Sequence, residues 1–257
     1  MCGCLAIQQA FDGDINWAAY FVGIAAIFDF LDGFVARMLG VTSPIGKDLD
    51  SLADMVTFGV VPGVVVFQLL LFATGQNEFR SFEWGSAIIP LWKKLLPFLA
   101  FLLPLFSAIR LAKFNNDSRQ SDSFIGVPTP ANAIFFCSIC LIMLQINNKY
   151  VMESTNLLET QEKMINDPIW QIVSNYYVLI GLVFLFSFLM VSELPLFALK
   201  FKSFGWKGNE IRFVFLGLSL VLLVLLKFIG IPLIIILYIL LSIVNNLLKK
   251  RDNSLSS

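Results

Sequence analysis

Seven apolar stretches of this sequence are each long enough to cross a lipid bilayer as a helix, which takes about 20 residues. Hydrophobic residues make up 58% of the chain, whereas an ordinary soluble domain contains about 45–50%. The sequence therefore predicts an all-α, polytopic membrane helix bundle with about seven complete transmembrane helices. The predicted spans cover residues 17–39, 47–72, 91–112, 128–147, 172–192, 213–229 and 231–248.

Residues 1–11, MCGCLAIQQAF, are typical of the last part of a further helix. A signal peptide would carry a basic N-terminal region and a cleavage site of small residues, and neither feature is present. We therefore expect a truncated N-terminal helix ahead of the seven complete ones.

The ionisable residues of the chain exclude several classes of function. Its 18 basic and 18 acidic residues leave no net charge to attract nucleic acid, and no basic tract is interleaved with aromatic residues. Histidine is absent, so no imidazole acts as a base, a nucleophile or a metal ligand. The two cysteine pairs, Cys2 with Cys4 and Cys137 with Cys140, lie in apolar stretches and indicate no disulfide framework, and we expect Cys137 and Cys140 to be buried small hydrophobic residues. Any metal must be held by oxygen.

Lysine and arginine are unequally divided between the two sides of the predicted bundle. Alternate connections on one side carry twelve of them, including Arg110 and Lys113, while the other side carries five, and Lys227 lies inside a helix near its end. Cytoplasmic connections of membrane proteins carry the excess of these residues. We therefore expect the first side and the C-terminus in the cytoplasm, and the connection at residues 148–170 outside as a solvated linker.

Four aspartates lie within the first two predicted helices. Inserting an ionised side chain into the centre of a membrane costs about 2.5–3.5 kcal/mol on insertion scales unless it has a partner. Asp29 and Asp32 are three residues apart on one helix, and Asp50 and Asp54 are four residues apart on the next. Each pair therefore occupies one stripe of its helix. A tight turn with Pro44 at the start of the second helix predicts antiparallel neighbours whose acidic stripes face each other.

Four carboxylates that converge in a low dielectric repel one another, and Arg37 alone cannot neutralise them. Oxygen ligands of this kind select Mg²⁺, Mn²⁺ or Ca²⁺, and four carboxylates can bridge two ions about 3.5–4 Å apart. Gly33 lies beside the first stripe and Gly46 begins the second helix, where both leave room for a ligand. A carboxylate-lined cation transporter or channel is the alternative from another functional class.

The spacing of these residues resembles, at every fixed position, the signature of the CDP-alcohol phosphotransferases. The signature reads Asp29-x2-Asp32-Gly33-x2-Ala36-Arg37-x8-Gly46-x3-Asp50-x3-Asp54 in this chain. The resemblance implies a membrane enzyme that moves a phosphatidyl-type group from a CDP-linked lipid to an alcohol and releases CMP.

The same resemblance assigns roles to the signature residues. It implies that the four aspartates hold two divalent metal ions on the CDP diphosphate. The ions are expected to be Mg²⁺ or Mn²⁺. Asp54 is then the base that activates the alcohol. Residues implied to contact the CDP-lipid are Gly33, Ala36, Arg37 and Gly46.

Further stretches resemble the bacterial and archaeal membrane-type phosphatidylserine synthases of this family. They are LDSLADMVTFGVVP at 49–62, RLAKFN at 110–115, FIGVPTPANA at 124–133 and LMVSELPLFALKFKS at 189–203. The resemblance implies CDP-diacylglycerol and serine as substrates, in a bacterial inner membrane. Direct displacement is the preferred mechanism because the sequence shows no separate nucleophile, and the basic connections predict that the site faces the cytoplasm. Glycerol phosphate, inositol phosphate and choline are the competing acceptors.

The resemblance also suggests how the chain is divided. We expect residues 1–203 to form the phosphotransferase domain and residues 204–257 to add two helices and a basic tail. Arg110 and Lys113 are candidate ligands for phosphate or for the serine carboxylate, and anchoring at the cytoplasmic surface is the alternative. The Gly-x3-Gly spacing in residues 58–63 predicts close helix packing, with a homodimer contact as a second possibility.

Overall fold

The protein is described by a computed structural model over residues 1–40, 43–76, 89–116, 123–154, 156–197, 205 and 209–255. Its α-helices are α1 (Cys2–Phe11), α2 (Ile15–Leu39), α3 (Pro44–Asp54), α4 (Val61–Ala73), α5 (Leu91–Leu95), α6 (Leu102–Asn116), α7 (Thr129–Glu153), α8 (Leu157–Ile165), α9 (Pro168–Val173), α10 (Tyr176–Val191), α11 (Glu210–Leu226) and α12 (Gly230–Leu255). A π-helix (Met55–Val60) joins α3 to α4, and 3₁₀-helices join α5 to α6 (Leu96–Phe101) and α11 to α12 (Lys227–Ile229). Two short strands, β1 (Ser123–Ile125) and β2 (Pro195–Phe197), pair antiparallel.

The predicted class of all-α polytopic membrane protein is confirmed. Five helical stretches are long and apolar enough to cross a bilayer, and they run over Ile15–Ala36, Pro44–Ala73, Leu91–Asn116, Thr129–Glu153 and Glu210–Leu248. The fifth predicted span corresponds to α10, which has 16 residues and is shorter than a full crossing of about 20 residues. α1 is a short apolar helix of 10 residues, as expected for residues 1–11.

The last apolar stretch contains two helices because the chain reverses at Lys227. This residue has a φ of 52°, and Gly230 lies so close to the Leu222 carbonyl that an added Cβ would be 2.6 Å from its oxygen. Beyond the turn, the ring of Tyr238 lies 5.7 Å from that of Phe215. α11 and α12 are therefore antiparallel neighbours, in agreement with the two separate spans that the sequence predicts.

The small residues Gly59 and Gly63 pack inside the chain. A Cβ at Gly59 would lie 3.1 Å from Cβ of Ser107, and one at Gly63 would lie 2.8 Å from Cδ of Pro104, both on the stretch that contains α6. Small residues let two helix backbones approach closely. The close packing predicted from the Gly-x3-Gly spacing is found, but its partner is α6, so this stripe is not available for contact with a second copy.

The predicted burial of Cys137 and Cys140 is confirmed. Cys137 and Cys140 are buried in α7, whereas Cys2 is half-buried and Cys4 is exposed. All four are free. Cys4 is exposed because α1 buries only the side that carries Gly3, Ala6 and Ala10.

Tryptophan and tyrosine side chains gather at one end of the bundle, here called the aromatic end. They are Trp17 at the start of α2, Trp92 in α5, Trp170 in α9, and Tyr176 and Tyr177 at the start of α10. Ring and cation contacts join these segments, with Trp170 6.1 Å from Phe72 at the end of α4 and Lys93 Nζ 5.4 Å from the Tyr176 ring. Such side chains are enriched where a membrane meets water.

The β-ribbon and Gly126 fix where α7 begins. The Gly126 N–H donates to the Leu194 carbonyl at 2.9 Å, and the Val127 N–H donates to the Leu189 carbonyl at 3.1 Å. Gly126 has a φ of +73°, and a Cβ there would press against the Met190 carbonyl and lie 3.0 Å from the Ser192 carbonyl oxygen. Only glycine fits this junction without strain.

We therefore expect Gly126→Ala to lower the melting temperature of the purified protein in detergent. The left-handed backbone alone costs about 1–3 kcal/mol with a side chain. Gly181→Ala, in the middle of α10 where a Cβ would meet nothing within 4 Å, is the matched control and should leave the melting temperature unchanged or raise it. Equal melting temperatures for the two variants would contradict this account of the junction.

Candidate functional site

The local sequence at the start of α3 stops one helix and begins the next. Ser43 has an extended backbone, and its Oγ accepts a hydrogen bond from the Gly46 N–H at 3.0 Å. Pro44 occupies the first turn of α3, where its fixed φ and missing N–H are tolerated. The helix start predicted from Pro44 is therefore found. Within the predicted turn at 40–45, residues 41 and 42 lie outside the described part.

Three of the four predicted aspartates converge between α2 and α3. One carboxylate oxygen from each of Asp29, Asp32 and Asp50 lies within 4.8 Å of the others. Asp29 is half-buried, while Asp32 and Asp50 are exposed. This acidic cluster lies in the half of α2 that is remote from Trp17, so it belongs to the end of the bundle opposite the aromatic end.

Asp54 follows Asp50 by one helical turn on the same stripe of α3 and is half-buried. Its charge interacts unfavourably with those of Asp29, Asp50 and Asp32, and favourably with that of Arg110 on α6. Asp54 thus borders the acidic cluster on the side that faces α6, between the carboxylates and a cation.

The donor set of the acidic cluster suits a hard divalent cation. Carboxylate oxygens are the ligands that Mg²⁺ and Mn²⁺ accept, and an ion between them would remove their mutual repulsion. The surroundings are open, because a Cβ at Gly33 would meet no atom within 4 Å and Ala36 is exposed. The side chain of Arg37 lies outside the described part of the structure.

Arg110 and Lys113 contact backbone carbonyls at the same end of the bundle. Arg110 is 6% exposed, and its Nε donates to the Val127 carbonyl at 2.8 Å. Lys113 is exposed, and its Nζ donates to the carbonyl of Val191, the last residue of α10, at 3.3 Å. Of the two, Arg110 is the one whose charge also acts on Asp54.

A hydrogen-bonded clamp between α3 and α6 was not predicted from the sequence. Asn115 Nδ2 donates to Ser51 Oγ at 2.9 Å, and Lys47 Nζ donates to the Asn115 carbonyl at 3.2 Å. These contacts hold the exposed α3 against α6 and so keep its acidic stripe turned to α2. The stretch RLAKFN contains Asn115, but its partner lies 64 residues away, which no local pattern indicates.

The π-helix that follows Asp54 was also not predicted. It places Gly3 of α1 against Thr57, so that a Cβ on Gly3 would lie 2.6 Å from Thr57 Oγ1. π-helical turns occur frequently at functional sites, where the extra residue changes which side of the helix faces inward. Here it connects α3, none of whose described residues is buried, to α4, in which ten of thirteen residues are buried.

Comparison with known proteins places this arrangement in a family. A family model for CDP-alcohol phosphatidyltransferases matches residues 1–161. The chain belongs to this family. The resemblance noted in the signature is therefore confirmed, and the acidic cluster is formed by residues of that signature.

Individual CDP-alcohol phosphatidyltransferases resemble the chain over most of its length. It is 33% identical to the CDP-diacylglycerol–serine O-phosphatidyltransferase of Bacillus subtilis (strain 168) over 148 residues, 56% of this chain and 68% of that protein. It is 32% identical to the enzyme of that name from Helicobacter pylori (strain J99) over 223 residues, 85% of this chain and 76% of that protein. An archaetidylserine synthase of Methanothermobacter thermautotrophicus is 28% identical over 160 residues, 61% of this chain and 60% of that protein.

CDP-alcohol phosphatidyltransferases generally depend on divalent metals, and this chain has an acidic cluster fit to hold one. We expect Mn²⁺ to raise the melting temperature of the unmodified protein, because bound metal relieves the repulsion among the three carboxylates. Asp50→Asn should abolish most of this rise and all turnover, as should Asp29→Asn or Asp32→Asn. Removal of metal by EDTA should stop turnover reversibly.

Asp48→Asn is the matched control, because Asp48 is an exposed carboxylate on α3 outside the acidic cluster. It should retain both the metal-dependent rise in melting temperature and the activity. Full activity in EDTA, or an equal loss in the Asp48 and Asp50 variants, would show that the acidic cluster holds no essential metal.

Proposed function

We propose that this chain transfers the phosphatidyl group of CDP-diacylglycerol to the hydroxyl group of L-serine, giving phosphatidylserine and CMP. The names of the relatives from Bacillus and Helicobacter support this substrate pair. The observation that carries the proposal is the convergence of Asp29, Asp32 and Asp50 within 4.8 Å, within the family's own signature.

The reaction is a single displacement at phosphorus. Serine Oγ forms a bond to the phosphorus that carries the diacylglycerol, the bond from this phosphorus to the oxygen of CMP breaks, and CMP leaves with that electron pair. The serine hydroxyl loses its proton to a base. Direct transfer is preferred because the sequence offers no activated cysteine or serine as a separate nucleophile.

Asp29, Asp32 and Asp50, with Asp54 beside them, would hold the metal. We propose that two ions bind, either Mg²⁺ or Mn²⁺. When bound, these ions would neutralise the negative charge of the diphosphate and the charge that develops on the departing CMP. The three clustered carboxylates come from two helices, so the α3–α6 clamp at Asn115 and Ser51 sets their separation. Gly33 and Ala36 leave space on the open side for the nucleotide, the backbone of Gly46 approaches it at the start of α3, and Arg37 adds positive charge for its phosphates.

Asp54 is the base in this proposal. A serine hydroxyl is a weak nucleophile at neutral pH and needs a proton acceptor within reach. The chain contains no histidine, and Asp54 lies at the edge of the acidic cluster, where its oxygen is less committed to metal than those of the three clustered aspartates.

Arg110 is suited to orient the acceptor. Its guanidinium is buried, its Nε donates to the Val127 carbonyl, and its charge reaches Asp54. In this proposal, an NH₂ group of the same guanidinium binds the serine carboxylate while the serine hydroxyl points at Asp54. Lys113, exposed at the same end, adds positive charge for phosphate.

We further propose that the end of the bundle that carries the acidic cluster faces the cytoplasm of a bacterial inner membrane. The excess of lysine and arginine in the connections at that end supports this orientation. Residues 1–203 form the catalytic domain in this proposal, and the hairpin from residue 204 onward is an addition. Contacts such as that of Tyr238 Oη with the Phe197 carbonyl, at 2.8 Å, attach the hairpin to β2.

The acceptor is tested by CMP release from CDP-diacylglycerol in detergent–lipid micelles. We expect serine to support release, while glycerol 3-phosphate, inositol phosphate and choline do not. The reason is that the buried Arg110, whose charge acts on Asp54, can pair with the carboxylate of one small acceptor. Release with one of the other acceptors and not with serine would assign another reaction of the family. If no acceptor supports release but cations cross a vesicle membrane that contains the protein, the chain is a carrier.

Asp54→Asn should leave metal-dependent binding of CDP-diacylglycerol intact, since the three clustered carboxylates remain. It should lower single-turnover CMP release by about 10²–10⁴-fold, the range of general-base contributions. Asp48→Asn again serves as the control with normal rates. Loss of lipid binding together with activity would make Asp54 a metal ligand first, and unchanged turnover would remove it from the mechanism.

A further inference from the structure

α8 exposes a row of apolar side chains that the rest of the chain does not cover. Leu157 is 80% exposed, Leu158 79% and Ile165 59%. The sequence predicts this region to be a solvated linker, but the structure shows two short helices, α8 and α9, between α7 and α10. An exposed apolar helix face marks a surface that meets something other than water.

The polar side chains of α8 lie on other sides of the helix. At 100° per residue, Leu157, Leu158 and Ile165 fall within one arc, which also contains the exposed Gln161, while Glu159 and Lys163 fall on the opposite side and Glu162 lies at the edge between them. Glu159 and Lys163 form an ion pair at 2.8 Å. Thr160, only 8% exposed, lies between the two arcs and faces the protein. α8 therefore lies on the bundle with one flank apolar and the other charged.

Contacts around α9 place α8 at the aromatic end. Tyr150 Oη, near the end of α7, donates to Asp167 Oδ2 at 2.9 Å, and Asp167 Oδ1 accepts from the N–H groups of Ile169 and Trp170. Burial would raise the pKa of Asp167, but these hydrogen bonds and the nearby Lys149 outweigh it and lower the pKa. The carboxylate thus stays ionised as the cap of α9, and Trp170 is held against Phe72.

The apolar flank of α8 continues the apolar surface of α7. Val151 and Met152, in the last turn of α7, are 53% and 87% exposed, and α8 begins four residues after α7 ends. α7 crosses the bilayer, so its last turn lies where the hydrocarbon ends. A helix packed beside that turn lies at the depth of the headgroups.

We propose that α8 is an interfacial helix, with Leu157, Leu158 and Ile165 inserted at the boundary between headgroups and acyl chains on the face of the membrane opposite the acidic cluster. Its partner is the lipid surface itself. Amphipathic helices bind such surfaces through buried apolar area and through attraction of basic residues to anionic lipids. α8 carries two glutamates and one lysine, so its binding rests on apolar burial and does not require anionic lipid.

The test compares two single cysteines on α8, Leu157→Cys on the apolar flank and Glu162→Cys at the edge of the charged flank, about 140° away around the helix axis. Cys2 and Cys4 are first replaced by serine, while the buried Cys137 and Cys140 are kept. Each variant is reconstituted in phosphatidylcholine vesicles, which are opened by freezing and thawing so that reagent reaches both faces. The measurement is the initial rate of labelling by a water-soluble maleimide, divided by the rate in denaturing detergent.

We expect Glu162→Cys to react several-fold faster than Leu157→Cys. Both positions are exposed in the protein, so neither change disturbs the core, and the difference reports only what covers the apolar flank. Equal rates would overturn the proposal, since both flanks would then face water. Oxidative cross-linking of Leu157→Cys between two copies in vesicles at low protein density would also overturn it, because the occupant would be a second chain. Neither outcome depends on the transferase reaction.

Discussion

Repulsion among carboxylates that two neighbouring helices bring together is the constraint on which this structure depends. Asp29, Asp32 and Asp50 approach within 4.8 Å at one end of a membrane bundle, and no apolar packing compensates for it locally, since none of the described residues of α3 is buried. The position of α3 comes instead from the Ser43 cap, from the hydrogen bonds of Asn115, and from its covalent continuity with the buried α4. A bound divalent cation would convert this destabilising cluster into a binding site.

The helix from Pro44 to Ala73 combines two opposite requirements in one span. In the proposed reaction its first part keeps carboxylates open to a nucleotide, while its second part fills the centre of the bundle, where Val61 and Val65 are fully buried. The π-helix between them allows this combination, because an extra residue in a turn changes the side that faces inward. Gly59 and Gly63 then bring the buried half against α6, which carries Arg110 towards Asp54.

The sequence predicted what rests on local spacing. The lengths of the apolar stretches predicted the membrane spans. The intervals of three and four residues between aspartates, with a turn at Pro44, predicted that the acidic stripes face each other. It did not predict what depends on distant contacts: the clamp of Asn115 with Ser51, the contact of Lys113 with the end of α10, or the π-helix. The flank of α8 was missed for another reason. Its nine residues are too few for a span, and their charges made the whole connection resemble a solvated linker.

The surroundings of the acidic cluster fit the proposed substrate physically. Phe30 and Phe34 of α2 are 66% and 52% exposed, and Leu49 of α3 is 60% exposed, so apolar side chains border the exposed carboxylates. In a bilayer these side chains meet acyl chains. A CDP-lipid can therefore keep its two acyl chains in the membrane while its diphosphate reaches Asp32 and Asp50 from the side. Lifting those chains into water would cost about 0.8 kcal/mol for each CH₂ group, a cost that a laterally open site avoids.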